Sequence, residues 1–368
     1  MKGSRVFGLD VMRATAILLV VFSHSNIFLK PSHPVTIRLF NFAGYIGVEL
    51  FFVLSGFLIG MIVLRIFSRQ HTGRDLQYFW IRRWFRTLPN YYLFLLIHYL
   101  AWNALDLRVE PIGPYLIFLQ NLNAGGQTFF PVSWSLTIEE WFYIIFPTTL
   151  WISFKLKRTP TSKTLVHCLA VITILLVSFI SIRFLLVSTG ELEWGKDIRL
   201  RLITRLDAPI YGVFGAYIAL AHPALWKKYR FHCFVAGIFL FALVSLVYFA
   251  GNEIGNSFYM KTTFFTLPNT AFLLWLPVLS NWKAYSGKLA TTVTLISLWS
   301  YSLYLCHDVI RKITYYGYIH LVQQGYTTAL AFSTLYVAIA IILARLCYTY
   351  YEKPMMNLRE RFNPTNKP

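Results

Sequence analysis

Two ionisable side chains stand inside an apolar run near the start of this sequence. The run GLDVMRATAILLVVFSH contains Arg13 and His24, eleven positions apart. On an α-helix that spacing puts them within about 20° of one face and about 16 Å apart along the axis. A guanidinium holds anions, and an imidazole moves protons near neutral pH. The pair therefore reads as an anion clamp and a proton-transfer group stacked on one face. Charges within a bilayer are costly and mark a functional site by default. The plainer alternative has Arg13 snorkelling to the interface and His24 satisfied in the core.

A second stretch, SWSLTIEEWFYIIFP, carries Glu139 and Glu140 at an apolar, aromatic helix start. Adjacent helical residues point about 100° apart, so at most one faces His24. Glu139 is expected to orient that histidine or hold an arginine, and Glu140 to be solvated at the interface. A third, FWIRRWFRTLPNYY, places Arg82, Arg83 and Arg86 before Pro89 and Tyr91. Spacings of three and four let two guanidinium groups share a face, and their planar forks suit phosphates. Membrane anchoring by basic residues is the alternative, but lysines would serve that equally well.

Weaker signals follow. Arg205 and Asp207 in TRLDAPIYG would form an ion pair or bind an acceptor. His307 and Asp308 in SYSLYLCHDVI are expected to be structural or to meet the acceptor. Glu49 in GYIGVELFFVLSGFLIG is expected to pair with a cation, while Ser55, Gly56 and Gly60 serve packing. His33, His71, His98, His167, His222, His232 and His320 show no ligand spacing, and the four lone cysteines suggest neither a metal site nor a disulfide framework.

The elements that must position these groups follow from composition. Of 368 residues, 57% are apolar and 13% charged, with a mean hydropathy of +0.54. A soluble domain carries about 25% charge, so an ordinary globule, a coiled coil and a disordered chain are excluded. The net charge of +19 reads as basic residues retained in cytoplasmic loops, with no nucleic-acid partner.

The pattern predicts an all-α, polytopic integral membrane protein of about ten transmembrane helices. They lie near 11–28, 44–66, 90–105, 134–154, 165–187, 205–221, 232–250, 258–279, 292–313 and 328–350, and 114–122 is too short to cross. Lys2, Arg5 and the basic residues of segments 65–86, 155–163, 227–230, 283–288 and 353–368 fall on one side. Fewer, Lys30, Arg38, Arg108, Lys196, Arg199, Arg201, Arg311 and Lys312, fall on the other. That bias predicts both termini in the cytoplasm.

Seven of these features, in order, resemble one family: Arg13-x10-His24, FFVLSGFLI, RRWFRTLPNYY, SWSLTIEEWFY, TRLDAPIYG, SYSLYLCHDVI and the closing YEKP. Together they are similar to the membrane-bound acyltransferase-3 family of bacteria across almost the whole chain. Each motif is weak alone; the ordered set is specific. The resemblance implies transfer of an acyl group, usually acetyl from acetyl-CoA, to a hydroxyl of a carbohydrate or lipid-linked glycan. It implies that Arg13, His24, Arg83, Arg86 and Glu139 are the functional positions. It also implies a bacterial cytoplasmic-membrane location, with membrane lipids as neighbours and no permanently bound cofactor or metal. The chain resembles the stand-alone class without an esterase-like domain, with a membrane domain over 1–354 and a short cytoplasmic tail over 355–368. Asp10, Val11 and Cys306 depart from the family pattern and are not expected to touch the chemistry.

On this reading Arg83 and Arg86, with Arg82, hold the acyl-CoA phosphates at the cytoplasmic mouth, and Arg13 contacts the carrier arm. His24 is the general base, and Glu139 fixes its tautomer. Tyr, Trp and Ser residues are candidates for the oxyanion donor. The alternative is a transporter of a glycan precursor or acyl carrier without chemistry, but matched Gly/Pro-interrupted segments in two halves are not seen.

Overall fold

Runs of apolar residues near the length a bilayer requires become helices because hydrocarbon offers backbone groups no other partner. The computed structural model describes residues 5–29, 33–69, 73–104, 106, 109–123, 128–157, 163–250, 257–321 and 325–363, with no strand among them. Lys2, Lys30, His71, Leu105, Arg108, Arg158 and Lys367, used above, lie outside the described residues. In chain order the helices are α1 (Phe7–His24), α2 (Asn26–Leu29), α3 (Pro34–Ser68), α4 (Gly73–Ala104), α5 (Gly113–Leu116), α6 (Ser133–Leu156), α7 (Thr164–Thr189) and α8 (Ala208–Ala221). They continue as α9 (Pro223–Lys228), α10 (Arg230–Ala250), α11 (Phe258–Lys261), α12 (Thr266–Asn281), α13 (Lys288–Leu321), α14 (Tyr326–Cys347) and α15 (Lys353–Leu358).

Each of the ten expected spans overlaps helix; the first is split at Ser25 into α1 and α2, and the eighth is broken into α11, a 3-10 turn over Thr263–Phe265 and α12. Among the described residues, seven helical stretches are long and apolar enough to cross a membrane: those of α1, α3, α7, α10, α12, α13 and α14. Among the other three, α8 has only 14 residues, and α4 carries the arginines. The chain is an all-α integral membrane protein.

The long α3 is central, and α1 and α8 pack against it. Gly56 and Gly212 permit the α3–α8 crossing, because a Cβ on either would overlap backbone of the facing helix. The outermost helices are α7 and α10, whose apolar side chains, such as Val166, Phe239 and Leu246, stay exposed as a lipid-facing surface requires.

Proline creates one key contact. Pro147 has no N–H to give the carbonyl of Tyr143, one turn earlier in α6. The indole of Trp80 on α4 donates to that carbonyl instead, at 2.9 Å. This ties the arginine stretch of α4 to the glutamate stretch of α6.

The short segment near 114–122 forms α5 and turns. It is held by Tyr91 and Tyr92 of α4, which donate to the carbonyls of Tyr115 and Leu116, and by Trp141 of α6, which donates to that of Phe118. In the preceding loop Glu110 accepts from the Tyr115 hydroxyl at 2.6 Å and from the Thr128 amide at 2.7 Å. Burial pushes its carboxyl up, but these donors outweigh burial and hold it below the usual carboxylate range. At the far end, α15 docks on α4, and Phe362 meets Phe85 with ring centroids 5.5 Å apart.

Candidate active site

Arg13 and His24 both sit on α1, half-buried, and each opens into a cavity. Beside Arg13, Asp10 is buried and accepts from Arg5 at 2.6 Å and from Ser297 on α13 at 2.7 Å. Its carboxylate lies 3.8 Å from Arg13. Asp10, expected to stand apart from the chemistry, is thus the near counter-ion of Arg13. The reason is spacing: residues three apart share a helix face.

The Arg13 cavity encloses about 690 Å³ including its mouth and is lined by Arg13, Arg83, Arg86, Glu139, Ser55, Tyr301 and Tyr304, among others. It brings together four of the residues that the sequence singled out. Arg83 lies over the Tyr143 ring, 4.2 Å from its centroid. The Tyr143 hydroxyl donates to Glu139 at 2.8 Å, and Ser55 donates to the other Glu139 oxygen at 2.7 Å. Ser55 was expected only to pack.

The expected solvation of the two glutamates is reversed. Glu140 is buried and faces Thr87 on α4, whereas Glu139 is half-buried and opens onto the cavity. Arg83 and Arg86 also line a neighbouring cleft of about 780 Å³ with Arg82, Tyr78 and Arg359. Arg359 was read as part of the tail; the docking of the terminal segment on α4 adds it to this cluster.

The His24 cavity, about 810 Å³ including its open mouth, is lined by His24, Asn26, Asn41, Trp134, Arg199 and Tyr304, among others. Val48 and Tyr304 line both it and the Arg13 cavity. Tyr304 is held there by Ser135 at 2.6 Å and the Val132 carbonyl at 3.1 Å.

His24 Nδ1 lies 2.8 Å from the Val20 carbonyl. A carbonyl only accepts, so Nδ1 carries a proton, and in the neutral ring Nε2 keeps a lone pair. The tautomer is therefore set by backbone one turn back. Glu139, expected to set it, bonds to Ser55 and Tyr143 and lines the other cavity. His24's ring neighbour is His307, with centroids 4.9 Å apart. His307 Nδ1 likewise bonds the Leu303 carbonyl at 3.1 Å, and its Nε2 is buried with no hydrogen-bond partner among the described residues.

Arg205 and Asp207 do not pair with each other. Arg205 grips both oxygens of Glu49 on α3, and Asp207 pairs with Arg183 on α7 at 2.7 Å. All four are buried. Arg183 was overlooked, though it is a lone charge in an apolar run, the same signal that marked Arg13. His98, assigned no role, is buried with Nε2 3.6 Å from Asp308, which also meets Arg311 at 2.6 Å. Among the described residues no cluster of His, Cys, Asp or Glu is arranged to hold a metal ion.

A family model described as an acyltransferase domain matches residues 6–349. The chain is 26% identical to YrhL of Bacillus subtilis (strain 168), whose name gives it provisionally as a peptidoglycan O-acetyltransferase, over 95% of this chain and 54% of that protein. It is 27% identical to SACOL0978 of Staphylococcus aureus (strain COL), named provisionally as an O-acetyltransferase, over 94% of this chain and 56% of the other. It is 25% identical to the O-acetyltransferase OatA of Staphylococcus aureus (strain NCTC 8325 / PS 47), over 95% and 57% respectively. The chain thus spans about half the length of the curated relatives it matches. No solved structure matches it. On the family match over nearly its whole length, the chain belongs to the acyltransferase-3 family.

Proposed function

We propose that this chain is a membrane-embedded O-acyltransferase. It moves an acyl group, by default acetyl, from cytosolic acyl-CoA to a hydroxyl of a carbohydrate acceptor at the outer face of the bacterial cytoplasmic membrane. The supporting observation is the succession of three cavities with shared walls. Arg83 and Arg86 are common to the first two, and Val48 and Tyr304 to the second and third. The O-acetyltransferase names of the relatives agree with this chemistry.

Acyl-CoA is phosphate-rich at one end and carries its thioester at the end of a thin arm. The guanidinium groups of Arg82, Arg83, Arg86 and Arg359 suit the phosphates, which planar forks bind in pairs. Arg13 then meets the arm. The rise from Arg13 to His24, about 16 Å, is on the order of the arm's length. Glu139 positions Tyr143, and through it Arg83.

At the far end, His24 Nε2 accepts the acceptor's hydroxyl proton as its oxygen attacks the thioester carbonyl. The new C–O bond forms, the C–S bond breaks, and the CoA thiolate takes the proton back from His24. Arg205 and Asp207 act structurally, each neutralised by a buried partner.

The test uses native membranes, which contain the acceptor, supplied with acetyl-CoA while free CoA thiol is followed. His24→Ala is expected to lower CoA release by about 10²- to 10⁴-fold, the usual contribution of a general base. Wild-type turnover in that variant overturns the proposal, and a transporter would release no CoA.

A further inference from the structure

The last cavity holds a cation that the mechanism does not use. Arg199 ends the π-helical turn Trp194–Arg199 and lines the His24 cavity. Beside it are two further guanidinium groups and two carboxylates. Arg205 is taken by Glu49, and Arg183 by Asp207. Arg199 is left over: it makes no hydrogen bond or ion pair with the described residues, and its Nε is buried without a partner. Burial pulls the Arg199 guanidinium below its ordinary pKa, against the opposing field of Glu49.

Aromatic rings surround the leftover charge. Tyr45, Trp134 and Trp194 lie 5.5, 5.7 and 5.9 Å from its central carbon. They stabilise a cation through their π faces but take none of its N–H groups as an anion would. No carboxylate lines the cavity among the described residues, while Asn26, Asn41 and Trp134 do. Amides and an indole face are what a sugar's hydroxyls and ring carbons meet. A partly desolvated guanidinium without a counter-ion is a costly arrangement that a bound anion would relieve.

We propose that Arg199 is the counter-ion for an anionic group, a carboxylate or a phosphate, on the acceptor sugar. The His24 cavity thereby selects acidic saccharides over neutral ones. That its ligand is the acceptor rests on the acyltransferase reading; the charge preference itself does not.

The test therefore measures binding without turnover. Purified full-length protein in lipid nanodiscs is titrated with glucuronic acid, glucose 1-phosphate and glucose at constant ionic strength, with dissociation constants taken from ligand-induced thermal shifts. At least one charged sugar is expected to bind about tenfold tighter than glucose, the lower end of what a charge-assisted hydrogen bond supplies. The preferred sugar distinguishes carboxylate from phosphate. Arg199→Gln is expected to abolish the preference, and Arg199→Lys to keep part of it.

Equal binding of all three sugars by the wild type overturns the proposal, and that outcome needs no variant to fold. An Arg199→Gln protein that keeps the preference overturns it as well, since the anion would then sit in the Arg13 cavity. An Arg199 reserved for transition-state charge would also show no preference here. Failure of the acyltransferase reading is seen separately, as absence of CoA release from acetyl-CoA by native membranes.

Discussion

The imidazoles of His24 and His307 meet edge to face, with ring centroids 4.9 Å apart. Each ring spends its Nδ1 proton on a carbonyl one turn back, that of Val20 or Leu303. Both Nε2 atoms are therefore lone-pair acceptors, but only His24 lines the cavity. His307 is expected to position the His24 ring rather than move the proton. His307→Ala should lower kcat by about tenfold, well short of the 10²- to 10⁴-fold expected for His24→Ala. Equal losses in CoA-release kinetics would instead make His307 a partner in proton transfer.

The two shared arginines should govern the donor. Arg83→Gln and Arg86→Gln are each expected to raise KM for acetyl-CoA by about tenfold or more, as loss of a charged hydrogen bond of about 1.5–3 kcal/mol implies. Their effect on kcat should be small. Lysine at either position should restore only part of the affinity, because a point charge lacks the bidentate fork. Initial rates against acetyl-CoA concentration check this.

The Glu49–Arg205 pair should behave as structure. Both groups are fully buried, so removing one partner strands the other charge. Glu49→Ala is expected to cost about 3–5 kcal/mol of stability, seen as a lower Tm in detergent. A Glu49→Ala protein with unchanged Tm and weakened acceptor binding would return this cluster to the acceptor site.

The Glu110 clasp carries a pH dependence. Its carboxyl sits below the ordinary carboxylate range because donors from Tyr115, Thr128 and Phe129 outweigh burial. A depressed folded-state value stabilises the fold above the unfolded value of about 4.3. That contribution is lost as pH falls through the folded-state value. The Tm difference between wild type and Glu110→Gln should be full at pH 7 and shrink toward zero as pH drops below about 4. A difference constant across this range would show that Glu110 is not the titrating clasp.

Much of the molecule follows from local chemistry. Long apolar runs became helices, since within a bilayer a single segment satisfies its own backbone groups only as a helix. Arg13 and His24 were bound to share a face because eleven residues close three helical turns. Arg83 and Arg86 likewise followed from a spacing of three. Such relations lie within one element, where geometry is known in advance.

The chain alone determined the helices, the intrahelical pairs and the family. Only the tertiary structure decided which helix faces meet. It turned Glu139 to Ser55 and Tyr143 rather than to His24, matched Arg205 with Glu49 and Asp207 with Arg183, and left Arg199 without an ion-paired acid among the described residues. Each outcome depends on how helices cross, as where Gly56 and Gly212 allow α3 and α8 to touch. A crossing angle is set by the shape of two surfaces together, and neither surface is contained in the periodicity of its own helix.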